Sequence, residues 1–216
     1  ENIINNFLIK KNTFIFESVE KRTIRGRYTI IGSDPDKIWE FTNKKIYLFE
    51  KNNKKIIKDE PYTFLKKLIE NFNFKLPKDI PPISSLLVGY FSYDIIRYIE
   101  KLPDKCLDDL KIPDVRLMRP KTIIIHDNLL KKIYFIRNCF ADQKIENYQK
   151  FFLKEVQIIK SLKNLSYNYE KASIYEKNSK KKIEVKSNIS KKKFKKMILK
   201  AKEYIKKGDI FQVVLS

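Results

Sequence analysis

Cysteine, histidine, glycine and arginine are all scarce in this chain of 216 residues, and each scarcity closes off a class of explanation. The two cysteines, Cys106 and Cys139, stand 33 residues apart, too few for a disulfide framework and without metal-ligand spacing. That usage fits a reducing, cytoplasmic setting. A single histidine, His126, excludes a multi-histidine metal centre within these residues. No apolar run approaches the roughly 18 residues a membrane-spanning helix needs, so no integral membrane protein is expected. No basic stretch followed by an apolar one opens the chain, and no signal peptide is expected. Four glycines are few for a folded chain of this size, so each should stand where few other residues can.

What is present indicates a folded protein. Hydrophobic residues make up 43% and aromatic residues 13%, more than a disordered chain carries. The length allows one large domain or two small ones. The formal net charge is +21, from 47 basic and 26 acidic residues, and the customary inference is a polyanionic partner. Yet only seven of the basic residues are Arg, the side chain best suited to bidentate phosphate and base recognition. Lys, Ile and Asn together supply roughly two fifths of the chain. Their codons are rich in A and T, so compositional drift explains the excess of Lys. Neither a nucleic-acid nor a membrane partner is expected, and a basic nucleic-acid-binding module is kept as the alternative of another class.

The first 50 residues read as a β meander. Candidate strands are Asn12 to Val19, Arg27 to Gly32 and Lys45 to Glu50, with turn chemistry at Asp34-Pro35-Asp36. Pro61 opens a helical pattern carrying Phe64, Leu65, Leu68 and Ile69. Residues 85–93 read as a strand around Gly89 whose aromatics are core, and Tyr93 to Glu100 as more helical. Residues 103–120, with Pro103, Pro113 and Pro120, read as a loop. Lys121–Asn128 and Lys132–Arg137 form a predicted hairpin, followed by an amphipathic helix over 142–162 carrying Ile145, Tyr148, Phe152, Val156 and Ile159. Residues 163–189 are polar and Lys-rich, a predicted linker. In the last helix Ser190 is the cap, Phe194, Met197, Ile198, Ala201 and Ile205 form one face, and Gly208 closes it. The end, Ile210-Phe211-Gln212-Val213-Val214-Leu215-Ser216, has strand propensity, and Gln212 within it is a polar outward position or a buried amide in need of partners. Residue 1 is Glu and the chain stops inside this apolar run, so it is expected to be the N-terminal part of a longer protein.

Four stretches, in order, resemble anthranilate synthase component I. They are Phe16-Glu17-Ser18-Val19-Glu20, Gly26-Arg27-Tyr28-Thr29-Ile30-Ile31-Gly32, Gly89-Tyr90-Phe91-Ser92-Tyr93-Asp94 with Leu102-Pro103, and Lys202 to Ser216. The resemblance spans nearly the whole chain, and all four glycines fall inside these stretches. The chain departs from the family at Ser92, where Gly is usual, and at Ile125-His126-Asp127, where Phe-Asp-His is usual. His126 is therefore read as a turn or surface histidine.

The resemblance implies an α+β fold, with antiparallel β-sheets packed on each other and flanking helices, truncated here. It implies an N-terminal regulatory region over 1–162, the linker 163–189, and at 190–216 the start of a chorismate-binding catalytic domain. In the family chorismate and ammonia become anthranilate and pyruvate, in tryptophan biosynthesis. Mg²⁺ binds the substrate carboxylate through ligands expected in the C-terminal domain, so these residues alone are not expected to catalyse. Ammonia comes from glutamine through an amidotransferase subunit, component II, in a heterotetramer. L-tryptophan inhibits, and the resemblance places Glu17, Ser18 and Arg27 in the inhibitor pocket. A hydroxyl and a carboxylate can meet the ligand's ammonium and a cation its carboxylate. Gln212 falls where related water-adding enzymes hold a lysine base; an amide cannot take a proton from water, which points to amination. The nearest rival, aminodeoxychorismate synthase component I, tends to have Tyr-Gln-Val-Asn-Leu where this chain has Phe211-Gln212-Val213-Val214-Leu215.

Overall fold

The computed structural model describes residues 11–17, 26–51, 53–72, 75–103, 107–142, 147–164 and 186–215. The chain divides into two compact units, residues 1–172 and 173–216. Among the described residues the first is built on seven antiparallel strands: β1 (Phe14–Phe16), β2 (Tyr28–Thr42), β3 (Lys45–Glu50), β4 (Asn53–Ile57), β5 (Val88–Phe91), β6 (Val115–Asp127) and β7 (Lys132–Arg137). Helix α1 (Pro61–Asn71) follows β4, a 3₁₀ turn (Tyr93–Tyr98) follows β5, and helix α2 (Tyr148–Asn164) follows β7. The expected α+β class with an antiparallel sheet and helices is what the structure has.

Two long strands carry this unit. β2 and β6 pair with each other from Tyr28↔Asp127 to Phe41↔Val115, with a register shift between Pro35 and Lys37. On one side of the shift β1 joins β2 and β7 joins β6; on the other, β3 and β4 extend β2 and β5 joins β6. The bulge therefore divides the sheet into two halves that share their central strands. Asp34-Pro35-Asp36, expected as a turn, lies inside this continuous strand. Pro35 sits opposite Pro120, so two residues without N–H face each other where the ladder is broken. For the same reason Pro120 does not end a loop: β6 starts at Val115, six residues earlier than expected.

Each half has its own core. Trp39, Phe41, Ile46, Val115 and Leu117 are buried together, with Phe64, Leu65 and Leu68 of α1 and Tyr98 packed against them. Ile31 and Ile124 form the second cluster, with Ile15, Phe135 and Ile158 of α2. Along β6 Val115 and Leu117 point to one face and Ile124 to the other, so the clusters, and the helices that cover them, take opposite faces. α1 starts as expected at Pro61, and the Glu60 carboxylate accepts from Tyr62 N (2.9 Å) and Thr63 N (2.7 Å). Of the face expected in α2, Val156 and Ile159 are half-buried. Phe152 is 65% exposed, while Glu155 is buried because it pairs with Arg137. The aromatics after Gly89 also point outward; Tyr93 is 90% exposed, and Val88 is the residue of β5 that reaches the core.

Ion pairs knit the region of the bulge. Arg119, whose side chain is 10% exposed, donates to Asp36 and Asp142 and lies 3.9 Å over the Phe140 ring. Arg137 pairs with Asp34 and Glu155, and Arg116 with Glu40.

In the second unit helix α3 (Lys191–Lys207) has the expected ends. Ser190 Oγ accepts from Lys193 N, and Gly208 stands at φ 78° while Asp209 N donates to Tyr204 O. Residues 210–215 are not a strand, contrary to expectation. Propensity makes no ladder without a partner, and Phe211 and Val214 are 93% and 84% exposed. The expected linker falls mostly on 165–185, outside the described residues.

Candidate functional site

Glu17 and Arg27, 10 residues apart in sequence, come to one end of the sheet. β1 stops at Phe16, paired with Ile30, so Glu17 is the next residue along. Arg27 immediately precedes β2, whose first pair is Tyr28↔Asp127, and Asp127 also begins the β6–β7 pairing opposite Lys132. The ends of four strands thus meet here. Ser18 lies outside the described residues.

The local chemistry fixes this corner. Gly26 adopts φ 78°, a left-handed turn that a side chain would resist. Asn128 N donates to Arg27 O (2.7 Å) and Asn128 Nδ2 to Gly26 O (3.3 Å). The Asp127 carboxylate accepts from Leu129 N (2.9 Å) and Leu130 N (3.0 Å), the turn chemistry proper to an Asp at this point of a hairpin. It also accepts from Arg27 Nε (3.1 Å to each oxygen) and Nη2 (2.7 Å). The guanidinium lies 4.8 Å from the centre of the Tyr28 ring. These contacts act on titration: the Arg27 hydrogen bond, against desolvation, holds the Asp127 carboxyl down at about 2, helped by the two backbone donors. The same bond raises the Arg27 guanidinium above its ordinary value.

Among the described residues Arg27 Nη1 makes no hydrogen bond, and the side chain is 32% exposed. The corner therefore offers an oriented cation edge, an exposed carboxylate on Glu17 and a tyrosine ring. Asp127 and Tyr28 were not legible as site residues. Asp127 stands 100 residues from Arg27, and only the pairing of β2 with β6 brings the two together. His126 is half-buried in β6, opposite Thr29. Gln212 belongs to the second unit, where it is exposed.

A groove of about 1100 Å³ opens elsewhere, at the bulge, with Asp34, Asp36, Glu40, Arg116 and Asp142 in its lining. Those five are paired within the ion network, which accounts for them structurally. Among the described residues no three of His, Cys, Asp and Glu cluster to hold a metal ion, so these residues do not fit a Mg²⁺ site. Nor is any described helix long and apolar enough to cross a membrane.

Comparison with known proteins accords with this architecture. A family profile for chorismate binding enzymes matches residues 11–216. Anthranilate synthase component 1 of Acetivibrio thermocellus is 35% identical over 209 residues, 94% of this chain and 42% of that protein. Component 1 of Cereibacter sphaeroides is 30% identical over 215 residues, 96% and 42% of the respective chains. The crystal structure of anthranilate synthase component I from Streptococcus pneumoniae TIGR4 has the same fold, with a TM-score of 0.65 at 20% identity, covering 93% of this chain and 42% of that one. The chain spans about two fifths of the length of the curated relatives it matches. With the profile match running from Lys11 through both units, the chain belongs to the chorismate-binding enzyme family and is a homologue of anthranilate synthase component I.

Proposed function

We propose that this chain is the effector-binding part, with the start of the catalytic domain, of an anthranilate synthase component I. Residues 1–162 form the regulatory region and 190–216 open the chorismate-binding domain. The complete cytoplasmic enzyme converts chorismate and ammonia to anthranilate and pyruvate, with ammonia supplied by component II. The observation that carries the reading is the identity of 30–35% along 94–96% of the chain to component 1 proteins. The corner at Glu17 and Arg27 supports the regulatory half. L-tryptophan presents an ammonium, a carboxylate and an indole, and the corner presents a carboxylate, a guanidinium edge and an aromatic ring. Tryptophan and chorismate would each lower affinity for the other by favouring different states of the protein. When bound, Mg²⁺ would neutralise the substrate's carboxylates, and its ligands belong outside the residues described.

The test uses the full-length protein with chorismate, an ammonium salt and Mg²⁺. Anthranilate fluorescence with equimolar pyruvate is expected, suppressed by L-tryptophan. Accumulation of 4-amino-4-deoxychorismate assigns the chain instead to the folate-pathway enzyme, and absence of either product overturns the reading.

A further inference from the structure

Resting on the effector reading above, we propose that Asp127 is the positioning residue of the tryptophan site: it sets the plane of the Arg27 guanidinium so that its outer edge faces the ligand's carboxylate. Arg27 is a long side chain next to a glycine turn, and ordering it at the moment of binding would cost rotamer entropy. The structure shows it ordered already. Nε and Nη2 are both committed to Asp127, and the Tyr28 ring lies beneath the guanidinium. With those two nitrogens fixed, the rigid fork leaves Nη1 in a determined direction, and the 32% exposure of the side chain leaves a ligand room to reach it.

Asp127 cannot touch a ligand itself, since its side chain is 1% exposed. Its orientation does not depend on Arg27 either, because Oδ1 is held separately by the N–H groups of Leu129 and Leu130. The carboxylate thus has two separable duties. It closes the β6–β7 turn through Oδ1 and aims the arginine chiefly through Oδ2.

Asp127→Asn separates them. Asparagine keeps an oxygen for the two turn N–H groups, but its amide nitrogen cannot accept from Nη2. The experiment is calorimetric titration of L-tryptophan into the full-length wild type, Asp127→Asn, Arg27→Ala and the double variant, with circular dichroism to confirm folding. Asp127→Asn is expected to raise Kd at least about tenfold, the scale of a lost hydrogen bond to a charged group. On the Arg27→Ala background the same change should move Kd less than about twofold, since Asp127 acts through Arg27. Unchanged affinity in folded Asp127→Asn, or an equal loss on both backgrounds, overturns the proposal and leaves the effector reading standing. A wild type that does not bind L-tryptophan removes the effector reading and the proposal with it. Arg27→Lys keeps the charge and loses the fork, so it tests the same point without touching the turn. Its Kd should also rise at least about tenfold, and wild-type affinity would overturn the proposal.

Discussion

Replacing Gly89 by alanine should destabilise the first unit more than the same change at Gly32, although both glycines sit in strands. A Cβ built on Gly89 would lie 1.7 Å from the carbonyl oxygen of Arg116 and 2.9 Å from Leu117 Cα. Both are backbone atoms of β6, directly across the ladder from Gly89. No rotamer relieves that contact; β5 must move away from β6. Four pairs, Val88↔Met118 to Phe91↔Val115, are then stretched, and Val88 is withdrawn from the core. At about 0.5–1.5 kcal/mol net for each hydrogen bond weakened, with part of the roughly 1.5–3 kcal/mol of a buried valine, the loss is about 3 kcal/mol or more. For a chain of this size that corresponds to a fall in Tm of about 6–12 °C. At Gly32 the obstruction is the ring of Phe14, at 2.0 Å, on a half-buried side chain of a three-residue edge strand. That ring can swing away at the expense of its 5.1 Å contact with Phe16, about 1 kcal/mol and a few degrees. Urea unfolding and thermal melting of the two variants measure the difference. A Gly89→Ala protein melting within 2 °C of wild type (about 1 kcal/mol or less), or a larger loss at Gly32, would refute the close-approach argument.

Three further outcomes follow from the ion pairs and the amide. The folded Asp127 carboxyl lies at about 2, below its ordinary value of 3.8, so its contribution to stability is present above the higher value and disappears as pH falls toward the lower. The stability gap between wild type and Asp127→Asn, measured by urea unfolding at each pH, should hold above about pH 5 and narrow below about pH 4; a gap that widens on acidification contradicts the pairing. Arg119→Met leaves Asp36, at 10% side-chain exposure, facing the bulge without its fork, and unfolding free energy should drop by about 3 kcal/mol. Wild-type stability there would mean the network is dispensable. In the full-length protein Gln212→Lys should depress anthranilate formation and yield some hydroxylated product, read by chromatography; full amination would remove Gln212 from the reacting centre.

Local signals in the sequence located the elements whose ends are chemically marked. Pro61 with α1, Ser190 and Gly208 with α3, and the β6–β7 hairpin stand where capping and turn residues put them. What failed to show was set by partners far along the chain. Asp34-Pro35-Asp36 has turn composition, yet Ser33↔Thr122 and Lys37↔Arg119 clamp it on both sides and hold it within the strand as a bulge, with Asp34 at φ 52°. β4, Asn53–Ile57, is an exposed edge strand made largely of Lys and Asn, and only its pairing with β3 makes it one. Residues 210–215 err the opposite way, with strand composition and no ladder among the described residues. The site shows the same division. Glu17 and Arg27 were readable by resemblance, whereas Asp127, 100 residues from Arg27, became visible only when β2 and β6 were paired.

The arginines decide what the charge of the chain means. Five of the seven lie among the described residues, and each is bound to a carboxylate: Arg27 to Asp127, Arg97 to Asp94, Arg116 to Glu40, Arg119 to Asp36 and Asp142, and Arg137 to Asp34 and Glu155. Four of the five, all but Arg97, use a bidentate fork, join the two long strands or fill a buried site, which a lysine ammonium does poorly. A composition that exchanges Arg for Lys wherever nothing resists would leave Arg where the fold resists, and that is the pattern observed. The positive excess is therefore carried by lysines, strongly hydrated point charges, and not by the forks that read phosphates and base edges. An arginine already committed to a carboxylate also adds little to a polyanion-binding face. The net charge of +21 thus records the chain's lysine content, while four of the five described arginines hold together the bulge and the corner where Arg27 stands.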